Sequence, residues 1–262
     1  FRSAQASNGG LIQGGGCVTG VTCNVNALKN IRFVGSNATP VPFNPGVSAG
    51  GNSVYGDAET DYPATNNLAV PYRTLNLFGY THYDISDNLR ASVQFNFGHS
   101  RTKNNSTPST KYGNLRINRD NPFLPESIGT AMDAAGLAYL NIGTTSIANV
   151  TNDKFSYDNF VNNSVGVPVS VQTRRLIRGV FSLDGKIGSD WTWNAYYQMG
   201  KVRTHVETLS NVITKNYNFA VDAVMGANGE IVCRAVRDGN PEAAGCVPLN
   251  VIGEGVASQA AI

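Results

Sequence analysis

The stretch Leu89-Arg90-Ala91-Ser92-Val93-Gln94-Phe95-Asn96-Phe97 alternates without a fault, with Leu, Ala, Val, Phe and Phe at odd positions and Arg, Ser, Gln and Asn at even ones. Successive side chains of a β-strand point to opposite faces, so this pattern builds a ribbon with one apolar and one hydrophilic side. The segment before it, Tyr72 to Ile85, is a less regular strand. Between them lie Ser86-Asp87-Asn88, residue types that favour tight turns by bonding their own backbone. The spacing predicts a hairpin over about Tyr72–Lys103.

A second segment repeats the plan. Arg174 to Ile187 leads through Gly188-Ser189-Asp190 into Trp191-Thr192-Trp193-Asn194-Ala195-Tyr196-Tyr197-Gln198-Met199-Gly200, again with Trp, Trp, Ala, Tyr and Met on the odd positions. The hairpins align at a constant offset: Ile85 matches Ile187, Gly98 matches Gly200, and Arg101-Thr102 matches Arg203-Thr204. The alternating runs exceed the about 5–6 residues of a typical soluble strand. They reach the about 9–11 tilted residues that cross a bilayer core. Trp191 and Trp193 beside one turn, with Tyr83 near the other, suit an aromatic girdle at a membrane interface.

Composition fits this reading. Charged residues are 15% of the 262, the formal net charge is +2, and 28 Gly accompany 11 Tyr and 11 Phe. Nucleic-acid binding needs clustered Lys and Arg for phosphate neutralisation, so it is excluded as a function. Mean hydropathy is −0.18, and no run reaches the roughly 18 apolar residues of a spanning helix. Spanning strands escape that test because alternation hides their hydrophobicity from averaged scales. The expected fold is all-β: an antiparallel transmembrane β-barrel segment of two long hairpins, with long extracellular loops containing short helices.

The expected division is a loop over 1–70, a transmembrane hairpin over 71–103, a loop over 104–172, a second hairpin over 173–209 and a loop over 210–262, all in one barrel domain. Short turns at one end and long loops at the other is the asymmetry of outer-membrane barrels, whose long loops face outward. In the middle loop, Leu124 to Gly136 reads as a short helix with Pro125 in its first turn and Gly136 past its end. In the last, Ala227-Asn228-Gly229-Glu230 reads as the turn of a small hairpin leading to Cys233.

The four cysteines form two local pairs, Cys17 with Cys23 and Cys233 with Cys246, each in a Gly/Asn/Pro-rich stretch. Disulfides are expected, and they imply an oxidising compartment. A zinc site would need tighter spacing and nearby histidines, whereas His82, His99 and His205 lie far off in sequence, so no metal site is expected. Phe1 to Gln5 lack a signal peptide's charged start and apolar core. With Ser258 to Ile262 forming neither a closing strand nor a polar tail, both ends are expected to be cuts in a longer polypeptide.

The chain lacks H-E-x-x-H, P-loop and dinucleotide signatures, so neither an enzyme nor a cofactor is expected. The cluster Arg174, Arg175 and Arg178 is the candidate ligand-binding set, since an electropositive mouth concentrates anionic ligands. Its plainer reading is a group of solvated or headgroup-facing charges. His82 and His99 are placed in strand segments, where a satisfied polar role outweighs a place along a ligand path.

Phe219-Ala220-Val221-Asp222-Ala223-Val224, Gly229-Glu230-Ile231-Val232-Cys233-Arg234, Gly245 to Gly255 and Ser258-Gln259-Ala260-Ala261 together resemble a loop common in bacterial TonB-dependent receptors. Asn121-Pro122-Phe123-Leu124-Pro125 resembles the same family. The likeness covers the two hairpins and the two later loops; the first seventy residues share only the character. It implies an outer-membrane receptor that binds a small-molecule or oligosaccharide ligand in its extracellular loops and takes it up actively past a plug, driven by the TonB energy-coupling complex. It also implies outer-membrane lipid around the barrel. The plug and the remaining strands are expected outside these 262 residues. The alternatives are a passive pore to which several copies donate strands, and a secreted β-sandwich that binds glycans through exposed aromatics.

Overall fold

The computed structural model describes residues 2–3, 5–50, 53–55, 69–105, 110–145, 168–209 and 211–262. Parts of the expected first and middle loops, 56–68, 106–109 and 146–167, thus lie outside the described residues. In chain order the strands are β1 (Arg2–Ser3), β2 (Leu11–Cys17), β3 (Ile31–Val34), β4 (Thr39–Pro42), β5 (Val47–Gly50), β6 (Ser53–Tyr55), β7 (Tyr72–Ser86), β8 (Leu89–Asn105), β9 (Thr110–Asn118), β10 (Leu137–Thr145), β11 (Val169–Ile187), β12 (Trp191–Leu209), β13 (Ala223–Met225) and β14 (Ile231–Cys233). One helix, α1 (Glu126–Ala135), separates β9 from β10. The protein is mostly antiparallel β, and no described helix is long and apolar enough to cross a membrane.

The chain forms two units, one of residues 67–105 and 169–209, the other of 1–66, 106–168 and 210–262. The first is a four-stranded sheet in the order β12-β11-β8-β7. Its hairpins turn at Asp87-Asn88 and at Gly188-Ser189-Asp190, where Gly188 adopts φ +65°. β11 begins before the expected 173 and β8 ends beyond the expected 103, because Val169 still pairs with Leu209 and with Asn105, while β12 ends at the expected 209. The sheet is not closed into a barrel.

Pairing is antiparallel and continuous along β11, with Phe181 opposite both Val93 and Tyr197, and Ile177 opposite both Phe97 and Lys201. On β7, Leu77 faces Phe97, and Tyr83 faces Ala91. Residues directly opposite share a face. The alternating apolar residues of β8 therefore share one side of the sheet with Leu77, Phe181, Ile177, Tyr197 and Met199, while Phe78, Leu176 and Val202 lie on the other. Gly185 lies opposite Trp193, whose ring occupies the space a Cβ at Gly185 would need, 2.2 Å away. An aromatic ring laid over a cross-strand glycine replaces the packing the glycine lacks.

In the second unit, segments expected as loops build a five-stranded sheet in the order β4-β3-β2-β10-β9, with smaller sheets β1-β6-β5 and β13-β14. Ile12, Phe33, Ile117, Met132, Leu140, Ile142 and Ile252 are fully buried in its core. β2 carries Gly14-Gly15-Gly16 because β10 crosses it closely; a Cβ at Gly16 would fall 2.2 Å from the ring of Tyr139, its partner across the ladder. α1 starts two residues later than expected. Pro125 has ψ 136° and caps the helix from outside, while Glu126 sits in the first turn, where the helix dipole favours an acid. Ile128 and Met132, one turn apart, bury its inner face, and Gly136 at φ 69° closes it by donating to the Asp133 and Met132 carbonyls.

Both disulfides form, Cys17–Cys23 after β2 and Cys233–Cys246 after the β13-β14 hairpin. That hairpin turns as expected, with Gly229 at φ 83°. Cys233 is fully buried. Changing Cys233 and Cys246 to Ser together opens a loop with a separation of 13, which should destabilise this segment by about 3 kcal/mol. Protease cleavage between 223 and 246, followed against urea, should shift to lower urea in the variant and be unchanged when the Cys17–Cys23 pair is replaced instead.

Candidate functional site

The polar face of the four-stranded sheet carries most of the strands' hydrogen-bonding side chains. Its rows follow from the register. Nearest the tight turns, Asp84 faces Arg90 and Asp184 faces Asn194. Arg90 donates to Asp84 through Nε and Nη2, and the Asn194 amide donates to Asp184 at 2.7 Å. One row on, the Ser92 and Ser182 hydroxyls meet at 2.6 Å across the central pair. Farther along, Arg178 donates to Gln198 Oε1 at 2.8 Å. On this face β-pairing brings these polar groups together as mutual partners.

Of the three candidate arginines, the structure brings two to this face. Arg178 lies opposite Asn96 and Gly200, and Arg174 lies opposite Ser100 and Thr204, with Thr74 completing its row. Four residues of strand separate the two arginines by about 13 Å. Arg174 is exposed and flanked by hydroxyls, a setting of donors and acceptors that suits a polar or anionic ligand. The Asn96 amide nitrogen is buried without a hydrogen-bond partner among the described residues, and Phe78 stands beside it in the same row.

Arg175 points to the other face, opposite Arg203 and His99. The histidines divide likewise. His82 is on the polar face with its ring 5.9 Å from Tyr80, whereas His99 is on the apolar side's cationic end. Alternation makes neighbours in sequence strangers in space, and Arg174 and Arg175 are an instance. Among the described residues no cluster of His, Cys, Asp or Glu suits a metal ion.

A second constellation, in the folded loop unit, was not singled out from sequence. Arg234 donates to Asp120 through Nη1 and Nη2, at 2.9 and 2.6 Å, and to Asp222 through Nε. Asn118 donates to Asp222 at 3.0 Å, and the Asn121 amide donates to the Val221 carbonyl at 3.0 Å. The guanidinium thus joins Asp120 to Asp222, and the neighbouring Asn121 amide ties the same two segments together. In the sequence Asp222 and Arg234 stand twelve positions apart with nothing that pairs either with Asp120. The Arg234 guanidinium holds the Asp120 carboxyl below its ordinary range, and burial pushes the Tyr217 hydroxyl up. Lys111 sits over the Tyr217 ring at 5.2 Å, a cation–π contact that ties β9 to the helix Thr214–Val221.

Compared with known protein-family models and with characterised proteins, the chain matches none.

Because the folded-state Asp120 carboxyl is depressed, its link to Arg234 contributes fully above the usual carboxylate pKa of about 4 and is lost as pH falls through a lower value. Asp120 is more than half exposed, so the effect is screened. Arg234→Ala should cost on the order of 1–2 kcal/mol locally. Amide exchange at 118–123 and 220–224 should speed up in this variant at neutral pH, and should speed up in the wild type only on acidification below about pH 4.

Proposed function

We propose that this chain is part of an outer-membrane receptor of the TonB-dependent type, which binds a small-molecule or oligosaccharide ligand in its outward loops and takes it up actively. The observation that carries this is the exposed apolar face of the long-stranded sheet. Leu77, Val93, Phe95, Phe181, Tyr197 and Met199 share that face, and the last two are 70% and 69% exposed. Soluble monomers rarely expose a contiguous apolar patch of more than a few hundred Å². From Ile187 to Ile177, ten residue steps, the band runs about 34 Å along the strand, or about 24 Å in height at a 45° tilt. That matches the about 25 Å lipid-facing belt of outer-membrane barrels.

Trp191, 76% exposed, and Tyr83, 74% exposed, lie at the tight-turn end of this band, where an aromatic girdle belongs. A glycan-binding sandwich would cover the same face with a second sheet. Barrels of this class need at least about 8 strands, and plugged transporters about 22. The outer edges of β7 and β12 are unpaired among the described residues, so further strands must join there. In this reading they come from the rest of the receptor's barrel around its plug. The outward segments hold their shape through the two disulfides and the Arg234 link, presenting the ligand-binding surface, and the TonB complex supplies the energy. Arg174 and Arg178 on the polar face would line the path inward.

Val93 and Phe95 lie in the middle rows of the band. Val93→Arg or Phe95→Arg should cost about 2–4 kcal/mol of insertion, read as loss of folded protein from the membrane fraction. Gln94→Arg, on the polar face, should stay within about 0.5 kcal/mol of wild type. A Val93→Arg protein that is folded and soluble without detergent would sink the membrane reading. Native mass in detergent showing a closed ring of copies would replace the receptor by a passive pore.

A further inference from the structure

We propose that Arg73, Arg101, Arg175 and Arg203, with Lys201 and His99 beside them, form a belt that binds the phosphate-bearing headgroup of an anionic lipid; this rests on the membrane reading above. The register sets these residues side by side. Arg73 lies directly opposite Arg101, Arg175 lies directly opposite both Arg203 and His99, and Lys201 lies one row below, opposite Ile177. Directly opposed residues have Cβ atoms about 4.5–5.5 Å apart, and successive rows on one face are about 7 Å apart.

Counting along each strand from Val93, Phe95, Phe181 and Met199 keeps every one of these cations on the apolar face. They begin where the band ends, on the side away from the tight turns. Like charges placed directly opposite one another destabilise a sheet. Two arginine pairs of this kind occupy adjacent rows, yet no carboxylate among the described residues forms an ion pair with any of the four. The strand acids Asp84 and Asp184 are on the opposite face, engaged with Arg90 and Asn194. The one acid on the same face is Glu207, beyond the belt opposite Val171.

The repulsion calls for an external anion at the junction of hydrocarbon and water. A lipid phosphate meets the requirement in position and charge, because its acyl chains lie along the apolar band while its headgroup lies level with the arginines. The guanidinium's planar fork also suits bidentate bonds to phosphate oxygens. Lys201, rooted one row into the band, reaches the same level by extending its stem along the apolar surface.

The full-length protein, purified in maltoside detergent and offered phosphatidic acid and phosphatidylcholine together, tests this by native mass spectrometry. The wild type should retain phosphatidic acid preferentially. Arg101→Gln with Arg203→Gln should lower that preference roughly thirtyfold, and Arg101→Lys with Arg203→Lys should keep the greater part of it. Equal retention of both lipids by the wild type, or an unchanged preference in the glutamine variant, overturns the proposal. Should the glutamine variant fail to fold, added salt decides on the wild type: the preference must fall as salt rises, and a preference indifferent to salt overturns it. A wild-type protein that stays folded in buffer without detergent sinks the membrane reading, whereas one that needs detergent but shows no headgroup preference sinks only the belt.

Discussion

Everything in the long-stranded unit depends on the register of its backbone ladder. A slip of one residue in any strand would carry that strand's whole apolar set to the opposite face. β11 is the reference, since it is paired on both sides without a break from Val169 to Gly185. The one irregularity, between Asp84 and Ser86 at the β7-β8 turn, comes after the alternation has been set. The strands thereby add into a sheet with one predominantly apolar and one predominantly polar face. On the polar face, side-chain hydrogen bonds between strands add to the ladder, where Ser92 meets Ser182 and Arg178 meets Gln198.

The folded loop unit obeys different physics. Its strands are short, its sheet is buried by a core of Leu, Ile, Phe and Met, and close approaches such as Gly16 against Tyr139 demand glycine. Ordering such Gly-rich chain is entropically expensive. Local disulfides reduce that cost by restricting the unfolded chain, and the Arg234 link adds charge-assisted bonds between segments more than a hundred residues apart in sequence. A ligand-binding surface built from such segments is preorganised, which lowers what binding must spend on ordering.

The two units suit a division of labour in the proposed receptor. In that proposal the sheet would be the wall between lipid and water, and the disulfide-linked segments would carry the ligand-binding surface. The edges of β7 and β12, unpaired among the described residues, fit the same picture, because exposed long strand edges invite pairing and stable proteins rarely leave them open.

The sequence by itself determined the two hairpins, their tight turns, the faultless alternation, the disulfide pairs, the helix ending at Gly136 and the hairpin at Gly229. Each of these is encoded within about twenty neighbouring residues, by a period of 2 or 3.6 or by turn and cap chemistry. The separation of Arg175 from Arg174 and Arg178 was also implicit in that alternation, although closeness along the chain groups all three. Only the tertiary structure decided that the connecting segments fold into a sheet with its own core, that Arg234 joins Asp120 to Asp222, and that Arg73 faces Arg101 while Arg175 faces Arg203. These facts depend on pairings between distant segments, and a single chain's pattern carries the propensity of each strand but not the identity or register of its neighbour.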